Sequence, residues 1–383
     1  MNILVLCEGN AETRDSWSGI TNSVVTQLRA DGHTVWTGDV DLYRLDRWET
    51  AIRTFQPDRE RWRVQFRLGA HAFRRRSQRA DRHIRSQPRR PDLVIQIGAT
   101  FAIDPRHGIP YVLYCDSNIR MAEHSRESGH SHATHLSDDE SREVREREAR
   151  VYSGAAAIFT ISERLRRSFI EDFAIPEPRV RAIHAGPNFD VDAFVGGVAQ
   201  RSDRPTILFV GRQFRRKGGD VLLSAFAAVR ERSPDARLII VGPEELADVP
   251  PGVEHWGFLD KDDPDDRKRL IEAYRSADVF CLPTRFEPFG IVYLEAMYFG
   301  LPCVGTNVGA VPEMIADGQT GFTVPVDDQH LLAERLSWLI EHPSEARTMG
   351  RAGLERARDH FSWRAVIDRM METIAEVLPA GVH

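Results

Sequence analysis

Short runs of apolar residues alternate with longer amphipathic stretches along most of the chain. The first half opens with a predicted strand over residues 3–6, a helix over 20–28 and a second strand over 33–37. The second half repeats this order, with a strand over 206–210 and an amphipathic helix that ends at Arg232. Buried strands that alternate with helices form parallel sheets covered on both faces. The pattern therefore predicts an α/β protein with two doubly wound, Rossmann-like domains. Further strands are predicted over 91–98, 109–115, 157–161, 237–241, 254–257, 278–283, 302–305 and 321–324.

One strand, loop and helix in the second half carry the strongest chemical signal. The apolar run 278–283 predicts a strand buried on both faces, and residues 291–299 predict a helix closed by a glycine and a proline. The free N–H groups and the dipole at the start of that helix favour an anion. Glu287 lies just before the helix and Glu295 lies one turn inside it, so both carboxylates can reach the space in front of the helix N-terminus. An anion site with two carboxylates suits a ligand that also carries hydroxyls, as a sugar nucleotide does.

The same stretch resembles the signature of the family-four retaining glycosyltransferases of GT-B fold, in the sequence Glu287-Pro288-Phe289-Gly290-Ile-Val-Tyr-Leu-Glu295-Ala296. The resemblance implies that Glu287 and the backbone of residues 288–290 hold the sugar of a nucleotide-diphosphate donor. It implies that Glu295 binds the ribose hydroxyls. It also implies two facing domains: residues 1–187 bind the acceptor, with a C-terminal helix over 364–383 packing back on them, and residues 188–363 bind the donor.

A second element, Gly211-Arg212 followed by Lys217-Gly218, is similar to the family's diphosphate clamp. It is neither a Walker loop, because the lysine precedes the glycines, nor a dinucleotide fingerprint, because G-x-G-x-x-G is missing. Two fixed cations at a strand end neutralise a leaving diphosphate, so Arg212 and Lys217 are predicted to clamp it. With that charge supplied by the protein, no metal and no other cofactor is expected. Arg215 and Arg216 are predicted to be solvated.

Two glycine-containing loops complete the predicted donor contacts. In relatives the loop that corresponds to Gly257-Phe258 meets the nucleotide base through backbone groups, which makes both residues donor-site candidates here. Gly19 lies in a strand-to-helix loop where related enzymes let the backbone approach the diphosphate or the acceptor, although an ordinary tight loop explains it equally well. The region 309–313 also matches the family pattern.

The predicted activity is transfer of a sugar with retention at the anomeric carbon, to a glycan, lipid-linked or small-molecule hydroxyl. The catalytic candidates are Glu287, Asp116, Arg212 and Lys217, with Glu287 as a ligand of sugar hydroxyls and not as a nucleophile. A UDP-sugar is the first expectation for the donor and GDP-mannose is the second. Two other functions stay open: a non-catalytic sugar-nucleotide-binding protein, and a sugar-nucleotide epimerase or hydrolase of the same fold.

The acceptor side is less well specified. Asp116 follows the strand over 109–115 and is the best acceptor-side candidate, although an aspartate that caps the next segment is an equal alternative. In many relatives a histidine that contacts the donor sugar stands where this chain has Cys115. The His-rich segment 121–140 is predicted to be a mobile loop over the acceptor, with Arg120 or His124 touching substrate. A metal cluster of its histidines is the weaker alternative.

Residues 59–90 form a strongly basic segment, with twelve arginines against Glu60 and Asp81. Apolar residues recur at helical spacing, so one or two amphipathic helices with a basic face are predicted. That face could dock on an anionic membrane or on a phosphate-bearing acceptor. A solvated arginine-rich face is the alternative.

Composition excludes several other classes of protein. The formal net charge of the 383-residue chain is −6, which gives no signal for nucleic acid. No apolar run reaches the roughly 20 residues of a membrane span, and no signal peptide is evident, so a cytoplasmic location is expected, with peripheral contact at an inner membrane face left open. The four cysteines lie singly in apolar runs, as buried thiols do. The triplets Asp39-Val40-Asp41 and Asp190-Val191-Asp192 are interpreted as polar loop residues and not as metal ligands.

Overall fold

The structure is a computed structural model that describes residues 1–14, 16–126, 129, 131–189, 204–243, 245–246, 249–261 and 263–378. The chain divides into two compact units. The first unit comprises Met1–Asn188 together with Trp363–His383, and the second comprises Phe189–Ser362. The Asp190-Val191-Asp192 triplet and the loop predicted after it lie outside the described residues.

The first unit is built on a six-stranded parallel sheet with the order β2-β1-β3-β4-β5-β6. Its central strands are buried along their whole length, because helices cover both faces of the sheet. The strands are β1 (Asn2–Cys7), β2 (Thr34–Asp39), β3 (Leu93–Ile97), β4 (Tyr111–Cys115), β5 (Ala157–Thr160) and β6 (Val180–Ala182).

The second unit has a six-stranded parallel sheet of its own, with the order β12-β11-β10-β7-β8-β9. Both predicted α/β sheets are therefore confirmed, and the predicted strands agree with the observed ones to within one or two residues at most ends. The strands are β7 (Thr206–Val210), β8 (Arg237–Val241), β9 (Val253–Gly257), β10 (Val279–Leu282), β11 (Cys303–Thr306) and β12 (Gly321–Val324).

Helices connect successive strands in both units. In the first unit they are α1 (Ile20–Ala30), α2 (Arg44–Arg53), α3 (Arg59–Leu68), α4 (Ala70–Arg85), α5 (Ile119–His124), α6 (Asp138–Gly154) and α7 (Glu163–Glu171). In the second unit they are α8 (Gly219–Arg232), α9 (Pro264–Ser276), α10 (Ile291–Tyr298), α11 (Val311–Met314), α12 (Gln329–Glu341) and α13 (Pro343–Phe361). The last helix, α14 (Trp363–Val377), belongs to the first unit, where the Trp363 indole donates to the carbonyl of Pro187 at 2.8 Å.

Two predictions about local structure in the first unit have clear outcomes. The basic segment forms two helices, α3 and α4, as its periodicity predicted. The prediction of a loop over 121–140 is wrong in part, because α5 runs to His124 and a 3₁₀ turn covers His132–His135. The side chain of Asn118 accepts the backbone N–H of Met121 at 2.8 Å, and this cap starts α5 in a segment with few hydrophobic residues. His130 lies outside the described residues.

Several side chains noted in the sequence have structural roles. The Asp39 carboxylate accepts the backbone N–H groups of Gly9 at 2.9 Å and Asp41 at 2.8 Å, so the first acidic triplet stabilises a loop, as interpreted. Among the described residues, no group of acidic, histidine or cysteine side chains could hold a metal ion. In the same part of the chain, no helix combines the length and the apolar character needed to cross a membrane. All four thiols are free and buried, two in each unit: Cys7, Cys115, Cys281 and Cys303.

Candidate active site

The loop between β10 and α10 is held in place by glycines. Gly290 has φ +101°, a left-handed conformation that glycine adopts without strain, and it turns the chain into α10. Gly309 has φ +53°, and a Cβ atom there would lie 1.7 Å from the carbonyl oxygen of Glu287. The Glu287 backbone is therefore fixed by a contact that only glycine permits. This arrangement places Glu287, which is 8% exposed, beside the free N–H groups at the start of α10.

Glu287 forms an ion pair with Lys217, from the turn that follows β7. Both side chains are nearly buried. The two loops can approach because Gly218 has φ +73° and a Cβ atom there would lie 1.9 Å from the carbonyl oxygen of Pro283. A lysine that was predicted to meet a diphosphate and a glutamate that was predicted to meet a sugar are thus brought into direct contact.

Arg216 helps to hold the same two loops together. Its guanidinium donates to the carbonyl of Phe286 at 2.6 Å, and burial lowers the pKa of the group. The prediction that Arg216 is solvated is therefore wrong, because the turn after β7 directs this side chain toward the β10–α10 loop. Arg215 is exposed, as predicted.

Glu295 lies one turn into α10 and is fully buried. One carboxylate oxygen accepts the Tyr274 hydroxyl at 2.9 Å, and the other pairs with the ammonium of Lys261. The Lys261 side chain is 31% exposed, so this ion pair has one buried partner and one partner in contact with solvent. Sequence reasoning missed both partners. The only signal for Lys261 is its position as the single basic residue in the acidic run 260–266.

Arg212 and Phe258 meet at the ends of β7 and β9. The Arg212 guanidinium lies over the Phe258 ring, 4.4 Å from its centroid, and Phe258 is 42% exposed. Gly257 has φ +72°, which turns the chain out of β9 toward this contact. Because the strands are parallel, their carboxyl ends lie at one edge of the sheet, where ligands of open α/β sheets bind. Every donor-side candidate of the second unit lies at that edge.

The candidates of the first unit fall into separate groups. Asp116 directly follows β4, and burial raises the pKa of its carboxyl, while Arg67 lowers it and Glu8 raises it. Glu8 in turn pairs at 2.8 Å with Arg76, an arginine that is only 2% exposed. Sequence reasoning missed Glu8 and Arg76, because partners so far apart in sequence give no local pattern. Asp116 is therefore embedded in a charged cluster at the carboxyl edge of its sheet.

Arg120 and His124 belong to a different ion-pair group on α5. Arg120 pairs with Glu123 at 2.6 Å and lies 3.6 Å from Asp172. His124 is half exposed and lies 3.9 Å from the same aspartate. Gly19 has a packing role within the first unit, since a Cβ atom there would lie 2.0 Å from the amide oxygen of Asn188.

A small cavity at the carboxyl edge of the first sheet is lined by charged groups, among them Arg67, Arg147 and Glu148. Burial raises the pKa of the Glu148 carboxyl to about 7, although the backbone N–H of Ile119, which donates to it at 2.9 Å, acts in the opposite direction. Cys115, at the end of β4, is buried, so its thiol is not presented to a ligand.

Comparison with known proteins identifies the part of the chain that carries the donor-side candidates. Residues 192–356 match the family model of the glycosyl transferases group 1. The matched stretch includes Arg212, Lys217, Glu287 and Glu295.

Curated relatives match this chain over part of their length. The GDP-mannose-dependent alpha-(1-6)-phosphatidylinositol monomannoside mannosyltransferase of Mycolicibacterium smegmatis is 30% identical over 249 residues, which cover 59% of this chain and 64% of that protein. The D-inositol 3-phosphate glycosyltransferase of Corynebacterium diphtheriae is 30% identical over 208 residues, which cover 48% of each. The alignments therefore span about half to just under two thirds of the relatives.

The fold extends over both units. The sucrose-phosphate synthase of Thermosynechococcus elongatus superposes with a TM-score of 0.68 at 18% identity, and the match covers 98% of both chains. Together with the two parallel six-stranded sheets, this match confirms the predicted GT-B fold class.

Proposed function

We propose that this protein is a retaining, metal-independent glycosyltransferase that moves a sugar from a nucleotide-diphosphate donor to a hydroxyl acceptor. The observation that carries the proposal is the assembly of three cations and two carboxylates at one sheet edge of the second unit. Lys217 pairs with Glu287 there, Lys261 pairs with Glu295, and Arg212 lies over Phe258. The family match of residues 192–356 supports the same activity.

The donor is proposed to bind by replacing contacts that the free protein makes within itself. Lys217, Arg212 and the N–H groups at the start of α10 would neutralise the negative charge of the diphosphate. The ribose hydroxyls would donate to the Glu295 carboxylate, and the sugar hydroxyls would donate to Glu287. Both carboxylates are held by lysines, so they are oriented before the donor arrives.

In the proposed reaction, the bond between the anomeric carbon and the diphosphate oxygen breaks while the acceptor oxygen forms a bond on the same face of the sugar. The acceptor proton passes to the departing phosphate oxygen. Negative charge grows on that oxygen, and Lys217 and Arg212 stabilise it more strongly in the transition state than in the bound donor. Glu287 accepts hydrogen bonds from the sugar as positive charge develops on the ring, without forming a covalent bond.

The first unit is proposed to bind the acceptor. Asp116 would meet an acceptor hydroxyl, and burial raises the pKa of its carboxyl, which suits a residue that shares a proton. Arg67 and Arg147 line the neighbouring cavity, so an acceptor that carries an anionic group fits the charges there. The names of the two relatives include inositol phosphate and a phosphatidylinositol mannoside, which are anionic polyols.

A thermal-shift panel of UDP, GDP, ADP and their common sugars tests the donor site. We expect one nucleotide family to stabilise the protein, with UDP-sugars and GDP-mannose as the two candidates. The Lys217→Ala variant should lose that stabilisation, whereas Lys268→Ala, which removes an exposed lysine of α9, should keep it. If no nucleotide stabilises the wild-type protein, or if Lys217→Ala responds as the wild type does, the proposed donor site is wrong.

One observation favours a second candidate, a non-catalytic protein that binds sugar nucleotides. The position where many relatives have a sugar-contacting histidine holds Cys115, and that thiol is buried. Turnover separates the two functions: the enzyme would release nucleoside diphosphate faster when a suitable acceptor is present. A sugar-nucleotide epimerase or hydrolase would convert the donor at the same rate without any acceptor.

A further inference from the structure

Helix α2 carries a stripe of large apolar side chains that are exposed. Leu45, Trp48, Ile52 and Phe55 are 83%, 71%, 73% and 65% exposed. They recur at spacings of three and four residues, so they lie along one side of the helix and the turn that follows it. We call these four residues the α2 stripe. Single exposed apolar residues are common on proteins, whereas a contiguous row of this kind marks a surface that binds something.

The opposite side of α2 is fixed to the rest of the first unit. Thr50, which lies half a turn away from the stripe, is fully buried. Asp46 and Glu49 pair with Arg75 of α4 at 3.1 and 2.7 Å. The Trp62 indole of α3 donates to the carbonyl of Ala51 at 3.1 Å. The helix is therefore anchored through its acidic side, and the apolar side is left facing outward.

The surroundings of the stripe are strongly basic. Residues 43–90 contain fifteen arginines and five carboxylates, which gives this segment a net charge of +10 in a chain of net −6. Two of the acidic groups, Asp46 and Glu49, are engaged by Arg75. On α2 itself three arginines are exposed: Arg44, Arg47 and Arg53.

We propose that the α2 stripe and the exposed arginines of α2 form a docking surface for an anionic lipid bilayer. A helix that has tryptophan, leucine, isoleucine and phenylalanine on one side and arginines around it lies in the interfacial plane of a bilayer. The apolar side chains enter the boundary between headgroups and acyl chains, and the arginines meet lipid phosphates. The stripe is a protruding ridge, which a fluid bilayer accepts without a complementary pocket.

The positive charge of residues 43–90 argues against a second copy of this chain as the partner that covers the α2 stripe. A symmetric dimer through the stripe would bring two segments of charge +10 together, and like charges at close range oppose association. An acidic partner protein would also match the positive charge of this segment. The experiment below distinguishes it from lipid. The proposal rests on the first unit alone and holds whether or not the second unit transfers a sugar.

The test is flotation of the full-length protein with vesicles of phosphatidylcholine, with and without about 30% phosphatidylglycerol, at low and high salt. The apolar variant is Leu45→Ser/Trp48→Ser/Ile52→Ser, and the cationic variant is Arg44→Gln/Arg47→Gln. A matched control is Val326→Ser, which removes an apolar side chain that is 39% exposed in the second unit. Each variant is first checked for an unchanged melting temperature and an unchanged response to nucleotide.

We expect the wild type and Val326→Ser to float with anionic vesicles and not with neutral ones. The apolar and cationic variants should each bind about tenfold or more weakly, and high salt should release the wild type. Brominated lipid should quench tryptophan fluorescence in the wild type and quench it much less in the apolar variant. Failure of the wild type to float at low salt overturns the proposal, and so does flotation that the apolar variant retains. A lipid-free dimer that the apolar variant dissociates would overturn it in favour of a copy-to-copy interface.

Discussion

The ion pair between Lys261 and Glu295 gives the sharpest quantitative prediction. In the free protein the ammonium of Lys261 takes one oxygen of a carboxylate that is proposed to bind ribose hydroxyls. A nucleotide that uses this oxygen must first displace the lysine. The Lys261→Met variant removes the competing group and keeps most of the apolar stem of the side chain.

The magnitude follows from the burial of the two partners. Removing one partner of a buried ion pair destabilises a protein by about 3–5 kcal/mol, whereas exposed pairs contribute about 0.2–1 kcal/mol. Glu295 is fully buried and the Lys261 side chain is 31% exposed, so the cost should lie between these limits, at about 2 kcal/mol. Tyr274 still donates to the other oxygen and limits the loss. If the nucleotide breaks this pair in the wild type, it should bind the variant about 30-fold more tightly, since about 1.4 kcal/mol corresponds to a factor of ten.

Urea unfolding and calorimetric titration with the stabilising nucleotide measure the two effects. We expect Lys261→Met to lower the free energy of unfolding and to tighten nucleotide binding. Lys268→Met is the control, because its partner Asp265 and Lys268 itself are both mainly exposed, and it should change neither quantity. Weaker binding to Lys261→Met would refute the reasoning, since it would mean that the ammonium contacts the nucleotide. Unchanged binding would mean that the ribose does not use Glu295.

Three further predictions concern single residues. Glu287→Gln should lower kcat by about 10²–10³ while donor affinity changes little, because the contact of Glu287 with the sugar strengthens in the transition state. Steady-state kinetics and a parallel binding titration measure the two quantities. Equal losses of affinity for the donor and for free nucleotide would contradict the prediction. Gly309→Ala should lower kcat/KM by about 10²-fold by displacing the Glu287 carbonyl, whereas Gly300→Ala, at a similar positive φ with no neighbour within 4 Å, should leave kcat/KM unchanged. Burial raises the pKa of Glu148 to about 7 in the folded state, whereas the ordinary value is 4.5. Between these two values the folded state holds a proton that the unfolded state has released. The free energy of unfolding therefore falls as the pH rises from about 4.5 to about 7. Glu148→Gln should abolish this fall and be more stable than the wild type at pH 8 by at most roughly 3 kcal/mol, with little difference at pH 4; urea unfolding at both values decides it.

The sequence predicts the donor-side scaffold well because its determinants are local. β10 is an uninterrupted apolar run, α10 begins after a glycine, and Glu287 and Glu295 are fixed relative to both elements by a short spacing. The partners of the two carboxylates could not be predicted in this way. Lys261 lies 34 residues before Glu295 on another loop, and only the fold brings the two side chains together.

The exposed side of α2 could not be predicted from the sequence. Leu45, Trp48 and Ile52 have the periodicity of a helix that packs on a core, so the sequence alone cannot tell a buried face from an exposed one. The distinction comes from the acidic residues on the other side, which find Arg75 and orient the helix. The helical turns within 119–135 were missed for a related reason, because capping by Asn118 and not hydrophobic periodicity starts α5.

The distribution of the thiols makes the stability of each unit separately measurable. Cys7 and Cys115 lie in the first sheet, and Cys281 and Cys303 lie on adjacent strands of the second. All four are at most 1% exposed, and burial raises the pKa of each, so a thiol reagent reaches them only when the surrounding strands open. The rate of alkylation at each cysteine, followed by mass spectrometry, therefore reports the opening of one sheet at a time. Nucleotide should slow alkylation of Cys281 and Cys303 first, and any slowing at Cys7 and Cys115 would show how far donor binding protects the rest of the chain.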